Sequence, residues 1–351
     1  MDMWHRSQGR RISWLGCAMT AALLGLSVAG CSSSGSAASN STGASLQTVT
    51  VAASGDNIFD LPIWEGQAGG YYAKQGLKVQ FTVLSTATLN SALNSGSVNF
   101  LDDNPTTFLE EQATGGSSQI VVEGLSTGVP MGLVISTAFA KAHGITATTP
   151  PATVAKDLIG STGGSSAKST LGEADMFLRQ YGVQPSQVKI ATLSTVTADQ
   201  AALQSNEIDW FCTAEPVPFE VQDGGHGIVV ASPANVQQWG PSKTGLSEAI
   251  VTTTKFASGN PETVKKFVAA TEQATAYLSS HESKAVTLAQ SEIPGLTPQV
   301  LLKTDSLITW LSSGQMNGAQ WQNTVTFSEI EGTIASGTHV TQNVDWTNKY
   351  L

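Results

Sequence analysis

Hydrophobic and polar positions follow two regimes along this chain. Short period-two runs rich in Val, Ile, Phe and Thr read as strands, and stretches with apolar residues three or four apart read as helices. TVTVAA (48–53) predicts a first strand, 61–75 a helix carrying Trp64, Tyr71 and Tyr72, and LKVQFTVL (77–84) a second strand. A short helix is expected over 86–94 and a third strand over 98–101. Asn104-Pro105 then opens a helix containing Glu110 and Glu111, with proline at the first helical position, and 119–123 forms a fourth strand. Residues 131–136 leave this series as a strand, and a second series follows. It has a helix over 169–181, a strand over 188–193, a helix over 197–204, a strand over 208–213, a helix opened by Glu215-Pro216 and a strand over 227–231. A return strand is expected over 246–253, and from Pro261 the pattern is mostly helical. Alternating strands and helices imply an α/β protein with crossover helices. At 351 residues the chain exceeds what one core usually supports, so two domains are expected.

Two stretches nearly coincide. In SALNSGSVNFLDDNP (91–105) and AALQSNEIDWFCTAEP (201–216), Leu93 matches Leu203, Ser95 matches Ser205, Val98 matches Ile208, Asn99 matches Asp209 and Phe100 matches Trp210, and each stretch ends at a proline. Each predicts a helix, a tight corner, a buried strand and a polar loop into a new helix, at equivalent places in two αβ domains. Ligands of open parallel sheets bind beyond the carboxyl ends of the strands. Two such edges facing each other make a cleft, with Asp102, Asp103 and Asn104 on one lip and Thr213, Ala214 and Glu215 on the other.

The first thirty residues follow another pattern. Arg6, Arg10 and Arg11 precede an uncharged run over 15–30, which is short for a spanning helix and closes on small residues. This predicts a cleaved export signal rather than an anchor helix. Val28-Ala29-Gly30-Cys31 resembles a bacterial lipobox, which makes Cys31 the lipidated N-terminus. The Ser/Gly/Ala-rich segment 31–46 then reads as a flexible linker. Signal, anchor and linker together place the folded body on the extracytoplasmic face of a bacterial cell membrane.

Charge and cysteine content narrow the function. Removing 1–30 leaves 14 basic against 26 acidic residues, which argues against a nucleic-acid partner. Cys212 becomes the only unmodified cysteine, so no internal disulfide is expected, and no Cys/His spacing suggests a metal site. Cys212 has no histidine placed by sequence to activate it and reads as an inert thiol.

GGYYAKQGLKV (69–79), ATLNSALNSGSVNF (87–100) and DQAALQSNEIDWFCTAEP (199–216), with GSSAKST (164–170) and DWTNKYL (345–351), resemble the solute-binding lipoproteins of ABC importers. The branch is the nitrate/sulfonate/taurine type, which shares its fold with binders of thiamine pyrimidine precursors. The resemblance implies a type II periplasmic-binding fold, with one lobe from 47–132 plus 245–351 and a second lobe from 133–244. It implies a monomer without cofactor or metal that closes on a small molecule and docks on a permease served by an ATPase. It departs from the family in 158–163, where a clear hydrophobic strand is usual, so a short or differently shaped strand is expected there.

Gly163-Gly164-Ser165-Ser166 before a helix reads either as a plain helix start or, from its place in the family, as a corner for an anionic or polar head, with Ser165, Ser166 and Ser169 adding hydroxyls. Glu215 reads either as a helix-dipole acid or as an acceptor for an amino group. Asp56, Asn57, Thr86, Asp103 and Asn104 sit on the first lobe and Thr213 on the second, each with a turn or cap as the plainer reading. Phe59, Trp64 and Trp210 are stacking candidates that are more often core. Arg179, the only arginine after residue 30, lies three turns into its helix. An anion would therefore rely on amides, serines and Lys168, whereas Asp56, Asp103 and Glu215 suit an amine. An aliphatic sulfonate or taurine-like zwitterion is the first expectation, and a thiamine pyrimidine precursor or other amine-bearing molecule the second. A fold-related enzyme of pyrimidine-precursor synthesis is disfavoured, since the CCCFC motif of such enzymes is missing. An adhesin or a sensor subunit would use the same fold.

Overall fold

The computed structural model describes residues 45–351 other than Gly55, Asp56, Gly116 and Ser117, with the side chains of Thr86 and Ala87 also left out. The signal segment, Cys31, nearly all of the linker and Asp56 thus lie outside the described residues.

Eleven strands form two sheets among the described residues. The first runs β11 (Thr309–Trp310), β4 (Gln119–Thr127), β10 (Leu246–Thr253), β3 (Phe100–Asp103), β1 (Gln47–Ala53), β2 (Leu77–Val83). The second runs β7 (Lys189–Thr192), β6 (Thr162–Ser165), β8 (Trp210–Ala214), β5 (Met131–Ser136), β9 (Gly227–Ala231). Each is mixed by the same rule. Three parallel strands, β2–β1–β3 or β7–β6–β8, are followed by a reversed strand, β10 or β5. Those reversed strands are buried along their whole length, the polar Ser247, Glu248, Thr252 and Thr253 of β10 included. The chain passes from the first sheet to the second between β4 and β5 and returns before β10.

The repeated stretches occupy matching places. The helices Thr86–Ser95 and Val196–Gln204 each lead into a left-handed residue, Gly96 (φ 77°) and Asn206 (φ 60°). Glycine and asparagine are the residues that tolerate this conformation best. Then β3 and β8 enter their sheets, and the helices Pro105–Ala113 and Val217–Asp223 follow.

Three expectations need correction. The helix over 61–75 is interrupted at Gly69-Gly70 into Leu61–Ala68 and Tyr71–Lys74, because two adjacent glycines are poor helix formers. The third strand begins two residues late, at Phe100, because Asn99 spends its side chain on the Thr50 N–H at 2.9 Å. The short strand of the second domain lies within the glycine run, as β6, instead of before it. A Cβ on Gly163 would stand 2.3 Å from the Trp210 ring and one on Gly164 2.4 Å from Ile208, so these glycines admit core side chains.

Phe100, Phe267 and Tyr72 stack beneath the first sheet, at centroid distances of 4.1 and 5.2 Å. Trp210, Phe177 and Trp239 fill the core of the second sheet. Among the described residues no helix is long and apolar enough to cross a membrane.

Candidate ligand cleft

A cavity of about 240 Å³ lies between the carboxyl-end loops of the two sheets. From the first side, the opening turn of the Pro105 helix contributes Asn104, Thr106 and Thr107, with Glu110 one turn on and Phe59 and Ser247 beside it. From the second side come Ser169, Thr170 and Glu173 of the helix Lys168–Gln180, Met131 of β5, and Thr213 and Ala214 of β8. Glu331, the last residue of the helix Gly318–Glu331, and Thr333 complete the wall.

The two helix starts differ. Asn104 caps the Pro105 helix by accepting from the Thr106 N–H at 2.8 Å. The N-cap of the Lys168 helix is Ala167, which has no side-chain acceptor to give. Its first-turn residues Ser169 and Thr170 line the cavity, and the free N–H groups and positive dipole end of a helix start favour an anionic group.

The carboxyls give the opposite sign. Glu173 and Glu331 are 4% and 6% exposed and hydrogen-bond to each other side chain to side chain. Each keeps its Oε2 unpartnered among the described residues. Burial and then the mutual repulsion of the pair push the Glu173 carboxyl well up. Burial raises Glu331 to about 7, and Glu110 adds to the rise. Burial also raises Glu110, against the pull of Lys168. Arg179 is exposed on the far side of its helix, with its nearest polar contact to Gln184 at 3.5 Å.

Of the residues expected from sequence, Phe59, Asn104, Ser169 and Thr213 reach the cavity wall. The others stand behind it. Asn57 accepts from the Phe59 N–H at 2.8 Å, so it orients a wall residue. Asp103 Oδ1 accepts from the Asn104 N–H at 2.9 Å, and burial raises this carboxyl to about 7. The Ser165 hydroxyl donates to the Ala167 carbonyl at 2.9 Å, and Ser166 hydrogen-bonds to Asp199. Glu215 Oε2 accepts from the Phe219 N–H at 2.9 Å, and burial lifts the carboxyl to about 8. Its Oε1 is unpartnered and lies against Gly132. Asp56 and the Thr86 side chain lie outside the described residues. Trp64 packs edge-to-face on Phe81, and the Trp210 indole N–H donates to Ser161 Oγ at 2.8 Å, so both are core residues.

Sequence reasoning missed Glu173 and Glu331. Each reads as an ordinary polar position in a helix, and only the tertiary fold brings them together. Cys212 is buried on β8, and burial with Glu173 and Glu215 nearby holds its thiol protonated.

Comparison with curated protein sequences finds no match. Solved structures do match. The periplasmic aliphatic sulphonate binding protein SsuA of Escherichia coli aligns at TM-score 0.62 and 16% identity, covering 81% of this chain and 92% of that one. The periplasmic nitrate-binding protein NrtA of Synechocystis aligns at TM-score 0.65 and 14% identity, covering 84% and 83%. A Candida albicans gene product described as having the generic periplasmic binding protein fold aligns at TM-score 0.62 and 16% identity, covering 84% and 92%. These likenesses and the paired sheets establish the two-lobed periplasmic-binding-protein fold. A family model described as NMT1/THI5 like matches residues 60–285, and the chain belongs to that family.

Proposed function

We propose that the protein is the extracytoplasmic solute-binding component of an ABC importer, catching one small polar molecule between its lobes and presenting it to a permease and its ATPase. The observation that carries this is the shared cavity. Opening turns of two helices on opposite lobes, at Asn104–Thr107 and Ser169–Thr170, converge on about 240 Å³ of space. Small-molecule sites combine such a concavity with a few placed polar groups. Cys31, in its lipobox-like context, would tether the body to the outer face of the membrane. The buried, protonated Cys212 thiol favours binding over nucleophilic chemistry.

The ligand best suited to the cleft is an aliphatic sulfonate of the taurine type. Its anionic head would take the uncapped start of the Lys168 helix, and names of two structural neighbours, a sulphonate binder and a nitrate binder, lie in the same oxyanion class. A pyrimidine precursor is the second reading, favoured by Phe59 on the wall beside Glu110.

Thermal unfolding against taurine, alkanesulfonates, nitrate and aminopyrimidines tests both. A ligand at a hundred times its Kd adds about 2.7 kcal/mol of stability. A stabilising shift with taurine, reduced in Ser169→Ala, supports the sulfonate reading. A shift with an aminopyrimidine alone replaces it with the second reading, and no shift with any compound removes both ligand classes.

A further inference from the structure

Two acids from different lobes share one hydrogen bond inside the cleft. Glu173 lies in the second turn of the Lys168 helix and Glu331 ends the Gly318 helix. The backbones meet closely, since a Cβ on Gly172 would stand 2.5 Å from the Glu331 Cα, so the pairing is built into the packing. A carboxyl–carboxyl hydrogen bond needs a proton on one partner. Two bare carboxylates so deeply buried would carry a large desolvation and repulsion cost. Glu331 also ends its helix, where the dipole disfavours negative charge. The pair therefore holds at least one proton.

Among the described residues no cation forms an ion pair with these two acids. Glu110 faces it from the Pro105 helix, and Cys212 lies on the sheet side of Glu173. The nearby cation, Lys168, is exposed, lies beside Glu110 and reaches towards Gly332. Glu173 and Glu331 line the cavity, and the Oε2 of each is a buried acceptor with no partner among the described residues.

We propose that the cleft recognises its ligand by a primary ammonium group seated against Glu110, Glu173 and Glu331, and that the ligand's arrival expels the proton shared by Glu173 and Glu331. This rests on the solute-binding reading and names what lies opposite the anionic head. The exchange balances. The O–H bond of the protonated carboxyl breaks and its proton leaves to solvent. The ammonium N–H groups then donate to the freed oxygens. One cation replaces one proton, so the buried charge is unchanged. A sulfonate without the amine leaves the proton in place and gains nothing from these acids.

Calorimetric titration of the purified protein with taurine, ethanolamine and ethanesulfonate tests this, run at pH 6 in phosphate and in Bis-Tris and at pH 8 in phosphate and in Tris. Buffers of different ionisation heat report protons released. Taurine is expected to bind with release of at least one proton at pH 6 and less at pH 8, as Glu331 loses its proton to solvent. Ethanesulfonate is expected to bind roughly tenfold or more weakly, since a hydrogen bond to a charged group is worth about 1.5–3 kcal/mol. Glu331→Gln should abolish the release and weaken taurine without weakening ethanesulfonate. Should that variant misfold, Glu110→Gln, at an exposed position, should weaken taurine and ethanolamine severalfold and leave the release intact. Ethanesulfonate binding as tightly as taurine overturns the ammonium seat and leaves the solute-binding reading standing. Amine binding at pH 6 with no proton released overturns the exchange. Failure of all three probes to bind overturns both the seat and the taurine-type reading.

Discussion

The two lobes solve one problem with different side chains. Asn99, at the entrance to β3, donates its N–H to the Thr50 carbonyl at 3.0 Å and accepts from the Thr50 N–H at 2.9 Å. Asp209, at the entrance to β8, donates to the Thr162 carbonyl at 2.7 Å and accepts from the Thr162 N–H at 2.8 Å. Each also offers its own carbonyl to the reversed strand's side, Asn99 to Thr252 Oγ1 at 2.7 Å and Asp209 to the Ser136 N–H at 2.8 Å. The next residue differs in size, and its neighbour compensates. Phe100 lies beside Val51, whereas Trp210 lies beside Gly163. Strand geometry is held by the paired anchors, while volume is conserved by the pair of residues as a unit.

The strongest way to break this correspondence is to give the second lobe the first lobe's larger partner. Gly163→Val puts atoms where the Trp210 ring already stands, 2.3 Å from the site of the new Cβ. Denaturant unfolding should show a loss on the order of 3 kcal/mol. Trp210→Phe in the same chain should recover part of it, although Ser161 Oγ then loses the indole donor at 2.8 Å. Full additivity of the two substitutions would defeat the volume argument.

The same pair shows what was legible in the sequence. The helix, corner, strand and loop of each copy are local, and so the matching spacing of Leu93 and Leu203, or of Asn99 and Asp209, exposed them. The glycines at 163 and 164 read from sequence as a helix start or a ligand corner, whereas what approaches them, Trp210 and Ile208, depends on sheet pairing. A minor part of the cleft was legible for the same reason. Asn104, Ser169 and Thr213 sit at strand ends and helix starts, where polar residues attract notice. Glu173 and Glu331 come from helix interiors and ends far apart in the chain, and nothing local distinguishes them from solvated acids.

The carboxyl ends of β3 and β8 each bury an acid behind the cleft, Asp103 as the last residue of β3 and Glu215 just after β8, and pH separates them. Burial raises Asp103 from 3.8 to about 7 and Glu215 from 4.5 to about 8. Unfolded carboxyls ionise first, near their ordinary values, so the contribution of each is full below those values. It is lost as pH rises through the folded value. The ligand-free protein should therefore melt progressively lower from pH 5 to pH 8. Between pH 7 and pH 8 the share of Asp103 is largely spent, while Glu215 still costs up to about 1.4 kcal/mol per pH unit. Glu215→Gln keeps an acceptor for the Phe219 N–H and should make that interval shallower, the other buried acids still contributing to it. An unchanged slope would remove Glu215 as its source.

The smallest effect is at the anchors themselves, and it asks whether charge matters there. Asn99 and Asp209 are both half-buried, and each accepts one backbone N–H from a threonine on the neighbouring strand. Truncating either to alanine strands that N–H and should cost about 1 kcal/mol by urea unfolding with an unchanged m value. Asp209→Asn retains an acceptor oxygen and should cost less than about half of that, because only the charge assistance is lost. If instead Asp209→Asn costs as much as Asp209→Ala while Asn99→Ala is mild, the carboxylate's charge is the anchor in the second lobe. The two copies would then share a geometry without sharing its energetics.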